Sequence, residues 1–371
     1  MKITRIRIFK TDLPYVDGAY VWGAGNTISV ARASVVVIDT DAGLQGCGEF
    51  TPCGENYMVA HSEGVEAFAR LAAPHLLGQD PRHVAVMERQ MDHLVGGHGY
   101  AKAPFDAAFW DILGQATAQP VWMLMGGKLT DGAPMYRVAP QRTIPETMAE
   151  LDRHREAGYR QFQVKVGADW AGDIDRIREV IPLLKPGEKA MADANQGWRV
   201  DNAIRVARAT QDLDFILEQP CKTYAECQQV RRLAQHPMKL DECVTDLAAA
   251  QRIVTDHGAE ICCLKLSNLG GLSKARRVRD FLVENRIPVV AEDTWGGEIT
   301  TAAVAHFAAS TPAEYLINST DLMHYNTRST GLGGPTTHDG KLYATDTPGL
   351  GVTPDFQSLG APVAEYQAEK A

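Results

Sequence analysis

With 371 residues, 45% hydrophobic and 22% charged, the chain is long enough for two or three domains and has no low-complexity tract, which excludes a disordered or fibrous protein. Its 37 Lys and Arg against 46 Asp and Glu give a net charge of −9 without a basic stripe, which disfavours a nucleic-acid surface. Seven scattered cysteines without a C-x-x-C pair point to a reducing cytoplasm, and no apolar stretch approaches the roughly 20 residues a bilayer requires.

The opening MKITRIRIFK alternates apolar and basic residues, which predicts a half-buried strand and not a signal peptide. ARASVVVIDT, the turn Asp41-Ala42-Gly43 and LQGCGE predict a hairpin. Between them, Tyr15 to Thr27 is rich in Gly and aromatics and has no period, so it reads as a loop, either a lid or a surface connection. Thr51 to Tyr57 is a second such loop. Helices are expected over His61–Leu76, His83–Val95 and Tyr100–Ala116, the last with Phe105, Ala108, Phe109 and Ile112 at core-packing spacing. Residues 1–125 therefore read as an α+β domain.

Met135 to Val138 is a plausible first strand of a second domain. Six short apolar runs follow, each ending in a charged residue: Lys165, Asp193, Glu218, Asp241, Lys265 and Asp293. The gaps of 28, 25, 23, 24 and 28 residues each fit one strand, one helix and two short loops. Tyr315 to Asn318 supplies an eighth strand. Amphipathic helices fit between strands, for example Asp173–Leu184, Ala203–Ala209, Leu272–Glu284 and Thr300–Ala309. The pattern predicts a (β/α)7β barrel over 126–320, with the charges collected at the carboxyl face. Residues 321–371 are Gly- and Pro-rich and are expected to return to the first domain. Gly331-Leu332-Gly333-Gly334 lacks the flanking strand and helix of a dinucleotide fingerprint.

Asp193, Glu218 and Asp241 would end three adjacent strands about 4.8 Å apart, where each like-charge pair costs about 4 kcal/mol at 4 Å and an effective dielectric near 20. No nearby Arg offsets them, whereas a hard dication would, and oxygen-only donors select Mg2+ or a relative over zinc. One such acid alone reads more readily as a solvated loop residue or helix cap; three at matching positions reverse that. Lys165 and Lys265 would end strands two and six, opposite each other in an eight-strand ring. The plainer role for either is a snorkelling or paired lysine. Desolvation in a closed site would bring a lysine pKa toward neutrality, where it can act as a base. A carboxylate substrate on the dication has its α-proton acidified, because the ene-diolate is held by the metal. Two lysines facing one carbon then give racemisation, or β-elimination where a leaving group is adjacent.

These residues resemble the enolase superfamily, in its mandelate racemase and muconate lactonizing enzyme branch, over essentially the whole chain. The resemblance implies a capping domain over 1–125, a modified (β/α)7β TIM barrel over 126–320 and a C-terminal return through PGLGV. It implies Mg2+ on Asp193, Glu218 and Asp241, catalytic Lys165 and Lys265, and Asn195 and Glu242 beside the metal ligands. One departure is Gln163, which stands where the family's K-x-K motif has its first lysine. WGAGN, TPCGENY, GHGYAKAPFD and AEDTWGGE resemble the branch's proline-derivative enzymes. That implies a proline-derived carboxylate substrate, with Trp295 and Asp293 facing the ring nitrogen and Tyr57 and Trp22 as cap-loop walls. The implied reaction is dehydration of a cis-3-hydroxyproline; the alternative is racemisation or 2-epimerisation of proline betaine or a hydroxyproline betaine. A homo-oligomer is also implied.

Overall fold

The computed structural model describes residues 1–139 and 143–368; residues 140–142 of the expected barrel and 369–371 of the expected C-terminal segment lie outside the described residues. The N-terminal strand Ile3–Pro14 pairs antiparallel with Val30–Thr40, which pairs in turn with Gln45–Phe50 across the turn at Gly43. Helices Gly64–Leu76 and Gly99–Thr117 cover this sheet, and Val84–Leu94 packs against both of them. Gly99–Thr117 is buried on nearly every side, because the cap sheet packs on it from one direction and the barrel helix Leu272–Glu284 from another. Phe105, Ala108, Phe109 and Ile112 are all fully buried.

Eight parallel strands form the second sheet, each hydrogen-bonded to its sequence neighbours. In order they are Tyr136–Ala139, Gln161–Lys165, Lys189–Asp193, Ile216–Glu218, Met238–Leu240, Ile261–Lys265, Val289–Glu292 and Leu316–Ser319. A parallel bridge between Met135 and Ser319 joins the outer strands, so the barrel is nearly closed. Helices Ile144–Glu156, Trp170–Val180, Val200–Ala209, Tyr224–Arg231, Leu247–Asp256, Leu272–Glu284 and Glu298–Ala309 alternate with the strands. Phe162 and Val164 belong to the main apolar core. The alternate residues Gln161, Gln163 and Lys165 point into the barrel, where they meet Asn318, Asp193 and Glu218. The barrel interior is therefore largely polar, with an apolar cluster at Ile261, Cys263 and Val290.

One local expectation changes. Tyr15 to Thr27 is not featureless: Tyr20–Trp22 and Asn26–Ile28 pair as a small hairpin, and Trp22 is buried. Its lack of period reflects three-residue strands too short to show one. The C-terminal segment forms short strands, with Gly331–Gly333 on Val352–Pro354. Its last strand, Ala364–Gln367, adds to the free edge of Ile3–Pro14.

Candidate active site

Strand register decides which charges meet. Asp193 lies level with Lys165 on one side and Glu218 on the other, Glu218 is level with Lys239, and Lys265 is level with Glu292. All of these side chains are buried. The Lys165 ammonium donates to Asp193 at 2.6 Å and to Asn195 Oδ1 at 3.0 Å. Lys265 donates to both oxygens of Asp241, at 2.7 and 2.6 Å. Lys239 lies 2.7 Å from Glu218 Oε1, out of line for a hydrogen bond, so that contact is charge pairing. Each of the three expected metal ligands thus holds one ammonium, and the offsetting charge absent from the sequence reading is Lys239, two residues before Asp241.

Pairing has a consequence for the lysines. Burial acts to lower both, but Asp193, with Tyr20 and Glu218, holds Lys165 well above its ordinary value, and Asp241, with Cys263 and Glu292, does the same for Lys265. The expectation that desolvation brings them toward neutrality is therefore corrected: opposite charges within hydrogen-bonding distance outweigh it. Glu292 is held at about 2 although burial works against it, because Lys265 and Lys239 both face it, at 3.6 and 3.8 Å.

The donor set fits a hard dication. Glu218 is pushed up to about 7, first by burial and then by the charge on Asp193, with Asp241 and Glu292 adding to it. Only carboxylate oxygens are offered by these three residues. Among the described residues, the trio whose potential ligand atoms lie within 4.8 Å of one another is Asp241, Cys263 and Glu292. The family ligand set would require Asp241 to turn from Lys265 toward Asp193 and Glu218. Those two acids are already tied together, since Gln163 Nε2 donates to both at 3.1 Å. A lysine there would carry a charge; Gln163 bridges the two acids without one.

Lys165, Lys265, Asp193, Asp241 and Asn195 line one cavity with Tyr57, Trp22, Asp293 and Trp295. Asn195 is held in the left-handed region at φ 42°, donates its Nδ2 to Glu242 at 3.3 Å and accepts from Lys165. Glu242 is raised well above its ordinary value by burial and by Asp241 and Asp193. Tyr57 reaches from the cap to Asp241 at 3.4 Å, with Lys265 5.8 Å from its ring centre. Trp295 is fixed by a 2.8 Å hydrogen bond to Asn326 and packs among Tyr15, Tyr20 and Tyr325. Asp293 accepts from the Ser267 and Thr294 amides and from the Ser267 hydroxyl, and burial pushes it up to about 6. It is therefore already satisfied by neighbouring donors.

Sequence reading missed Tyr20, whose ring centre lies 5.8 Å from the Lys165 ammonium, and Tyr136, which donates to Glu292 at 3.0 Å. The signal for Tyr20 was its place two residues before Trp22, on one face of a short strand. The hairpin carrying both can close on the barrel because of Gly23: a Cβ there would stand 2.3 Å from the Ala194 carbonyl.

The family profile described as the mandelate racemase/muconate lactonizing enzyme N-terminal domain matches residues 21–126, and the enolase C-terminal domain-like profile matches 146–358. A cis-3-hydroxy-L-proline dehydratase of Roseibium aggregatum is 43% identical, covering 99% of this chain and all of that protein. A mandelate racemase/muconate lactonizing enzyme from Roseovarius nubinhibens is 82% identical in its crystal structure, with a TM-score of 0.98 over 99% of this chain and all of that one. A second enolase superfamily member from that organism, crystallised with magnesium, is 34% identical with a TM-score of 0.92 at the same coverage.

Proposed function

Because the chain belongs to the mandelate racemase/muconate lactonizing enzyme family of the enolase superfamily, we propose that it is a hydro-lyase that removes water from cis-3-hydroxy-L-proline. The observation that carries this reading is the placement of Lys165 and Lys265 on the second and sixth of eight strands, both lining one cavity with acids between them. In the cis isomer the hydroxyl and carboxylate share a ring face and the α-hydrogen lies on the other. Loss of both is an anti elimination, which needs a base on one face and an acid on the opposite face.

Lys165 is assigned as the base that takes the α-proton. Lys265, as its ammonium, gives a proton to the departing hydroxyl, so that water leaves and the ring double bond forms. Tautomerisation then gives Δ1-pyrroline-2-carboxylate. Asp193, Glu218 and Asp241 would hold Mg2+, supported by Asn195 and Glu242, while Asp293, Trp295, Tyr57 and Trp22 shape the substrate side. When bound there, the ion would supply positive charge to offset the negative charge gathering on the substrate carboxylate. For Lys165 to be free as a base, its proton must pass out through Asp193, Asn195 or the cavity. Tyr20 and Trp22 close the cap side against water.

The same lysines could serve racemisation or 2-epimerisation of a proline betaine, which shares the acidified α-carbon. Proton NMR in D2O on cis-3-hydroxyproline, proline betaine and 4-hydroxyproline betaine separates the two. Dehydration predicts loss of the C3 proton pattern and appearance of the pyrroline. Deuterium at Cα with the hydroxyl retained would count against it.

A further inference from the structure

Behind the fourth and fifth strand ends, outside the catalytic cavity, Gln219 organises a cluster of cysteines. Its Nε2 donates to the Cys221 carbonyl at 2.9 Å, to Cys243 Sγ at 2.9 Å and to Cys227 Sγ at 3.6 Å. Its Oε1 accepts from the backbone amides of Asp241, at 2.9 Å, and Cys243, at 3.4 Å. Gln219 adopts φ 32°, an unfavourable region for a residue with a Cβ, so the surroundings hold it there. The Cys227 and Cys243 sulfurs thus share one donor, the Gln219 Nε2. Cys227, on helix Tyr224–Arg231, is fully buried and further tied to the Cys221 carbonyl at 3.3 Å. Cys243 is half-buried, with its sulfur 3.9 Å from the carbonyl of Lys222 at the surface.

We propose that Cys227 and Cys243 are a reversible dithiol, which a peroxide closes to a disulfide that loosens the Gln219 clamp on the Asp241 backbone. The two thiols differ in a way that orders the chemistry. The half-buried Cys243 meets the oxidant first: its sulfur takes one oxygen from the peroxide, water leaves, and Cys243 becomes a sulfenic acid. The Cys227 sulfur, held on the same Gln219 amide, then attacks the Cys243 sulfur and expels a second water. Two thiols lose two hydrogens and two electrons, and the peroxide is reduced to two waters. Closure brings the sulfurs to about 2.05 Å. That draws together a helix that begins six residues after Glu218 and a loop residue two positions after Asp241. In a reducing compartment such a bond is transient and suits sensing rather than structure.

The test uses the full-length protein, treated with hydrogen peroxide, alkylated and digested without reduction. The expected result is a peptide joining Cys227 to Cys243, lighter by two hydrogens than its separate parts and released by dithiothreitol. Hydrogen exchange on the same samples should show faster exchange at the Asp241 and Cys243 amides after oxidation, and no change in oxidised Cys243→Ser protein. Recovery of Cys243 as sulfinic or sulfonic acid with Cys227 unmodified would overturn the pairing. A cross-link with unchanged exchange at Asp241 would equally overturn the proposal. Neither readout needs a substrate, so failure here is separable from failure of the dehydratase reading.

Discussion

Lys239 and Glu218 are both fully buried, and their charged groups lie 2.7 Å apart on neighbouring barrel strands. Strand register forces the meeting, since the two residues are paired level with each other. Lys239→Met would leave Glu218 facing Asp193 and Asp241 with one cation fewer. Breaking a buried pair in this way costs about 3–5 kcal/mol. We expect denaturant unfolding to show a loss of that order, and expect the added change Glu218→Gln to recover part of it. Equal stability of Lys239→Met and the parent protein would show that the pair does not hold the barrel.

The two lysines proposed to be catalytic, Lys165 and Lys265, should fail differently. Removing a general acid or base costs typically about 10²–10⁴-fold in rate. Lys165→Ala should lose both dehydration and exchange of the substrate α-proton with D2O. Lys265→Ala should lose dehydration to a similar extent while exchange persists, because the proton is removed from the other face. NMR of unreacted substrate reads the exchange, and equal loss of exchange in both variants would contradict the assigned faces.

The strand-end charges were legible because each is the last residue of a short apolar run, and a period of 23 to 28 residues survives any uncertainty in helix limits. Lys239 and Glu292 were not, although both sit inside such runs. A near-continuous apolar strand was expected to be buried on both faces, whereas here every second residue faces a polar interior. Tyr20 escaped for the opposite reason, since its strand is three residues long and makes its contacts across domains. Gln163 looked like a loss relative to the family motif. Its role became visible only when Asp193 and Glu218 were seen within reach of one amide.

Metal removal should be reversible. Treatment with EDTA is expected to abolish turnover, and Mg2+ to restore it. A dication that binds only the folded protein stabilises it by about 2.7 kcal/mol at a hundred times its dissociation constant, so thermal unfolding should shift upward with added Mg2+. Asp193→Asn should lose most of that shift. Full turnover in protein shown to be metal-free would remove the proposed role of the three acids.

Asp106 gives a pH dependence that is independent of the site. It lies on the cap helix Gly99–Thr117 and accepts from the Ser273 amide at 2.9 Å and the Ser273 hydroxyl at 2.6 Å, joining cap to barrel. Gly271 makes room for it, since a Cβ there would stand 2.5 Å from the carboxylate. Burial raises this carboxyl from 3.8 to about 7, against the two hydrogen bonds from Ser273. The folded protein therefore holds the proton more tightly than the unfolded chain does. The resulting stabilisation is fully present below 3.8 and is lost as pH rises through about 7, at up to about 1.4 kcal/mol per pH unit in between. Asp111, raised to about 6, acts in the same direction. Asp106→Asn, which cannot ionise, should flatten the fall in unfolding free energy over this window, even where it lowers stability at acid pH by disturbing one bond to Ser273. Denaturant melts of both proteins across the window provide the check, and parallel curves would show that Asp106 does not titrate there.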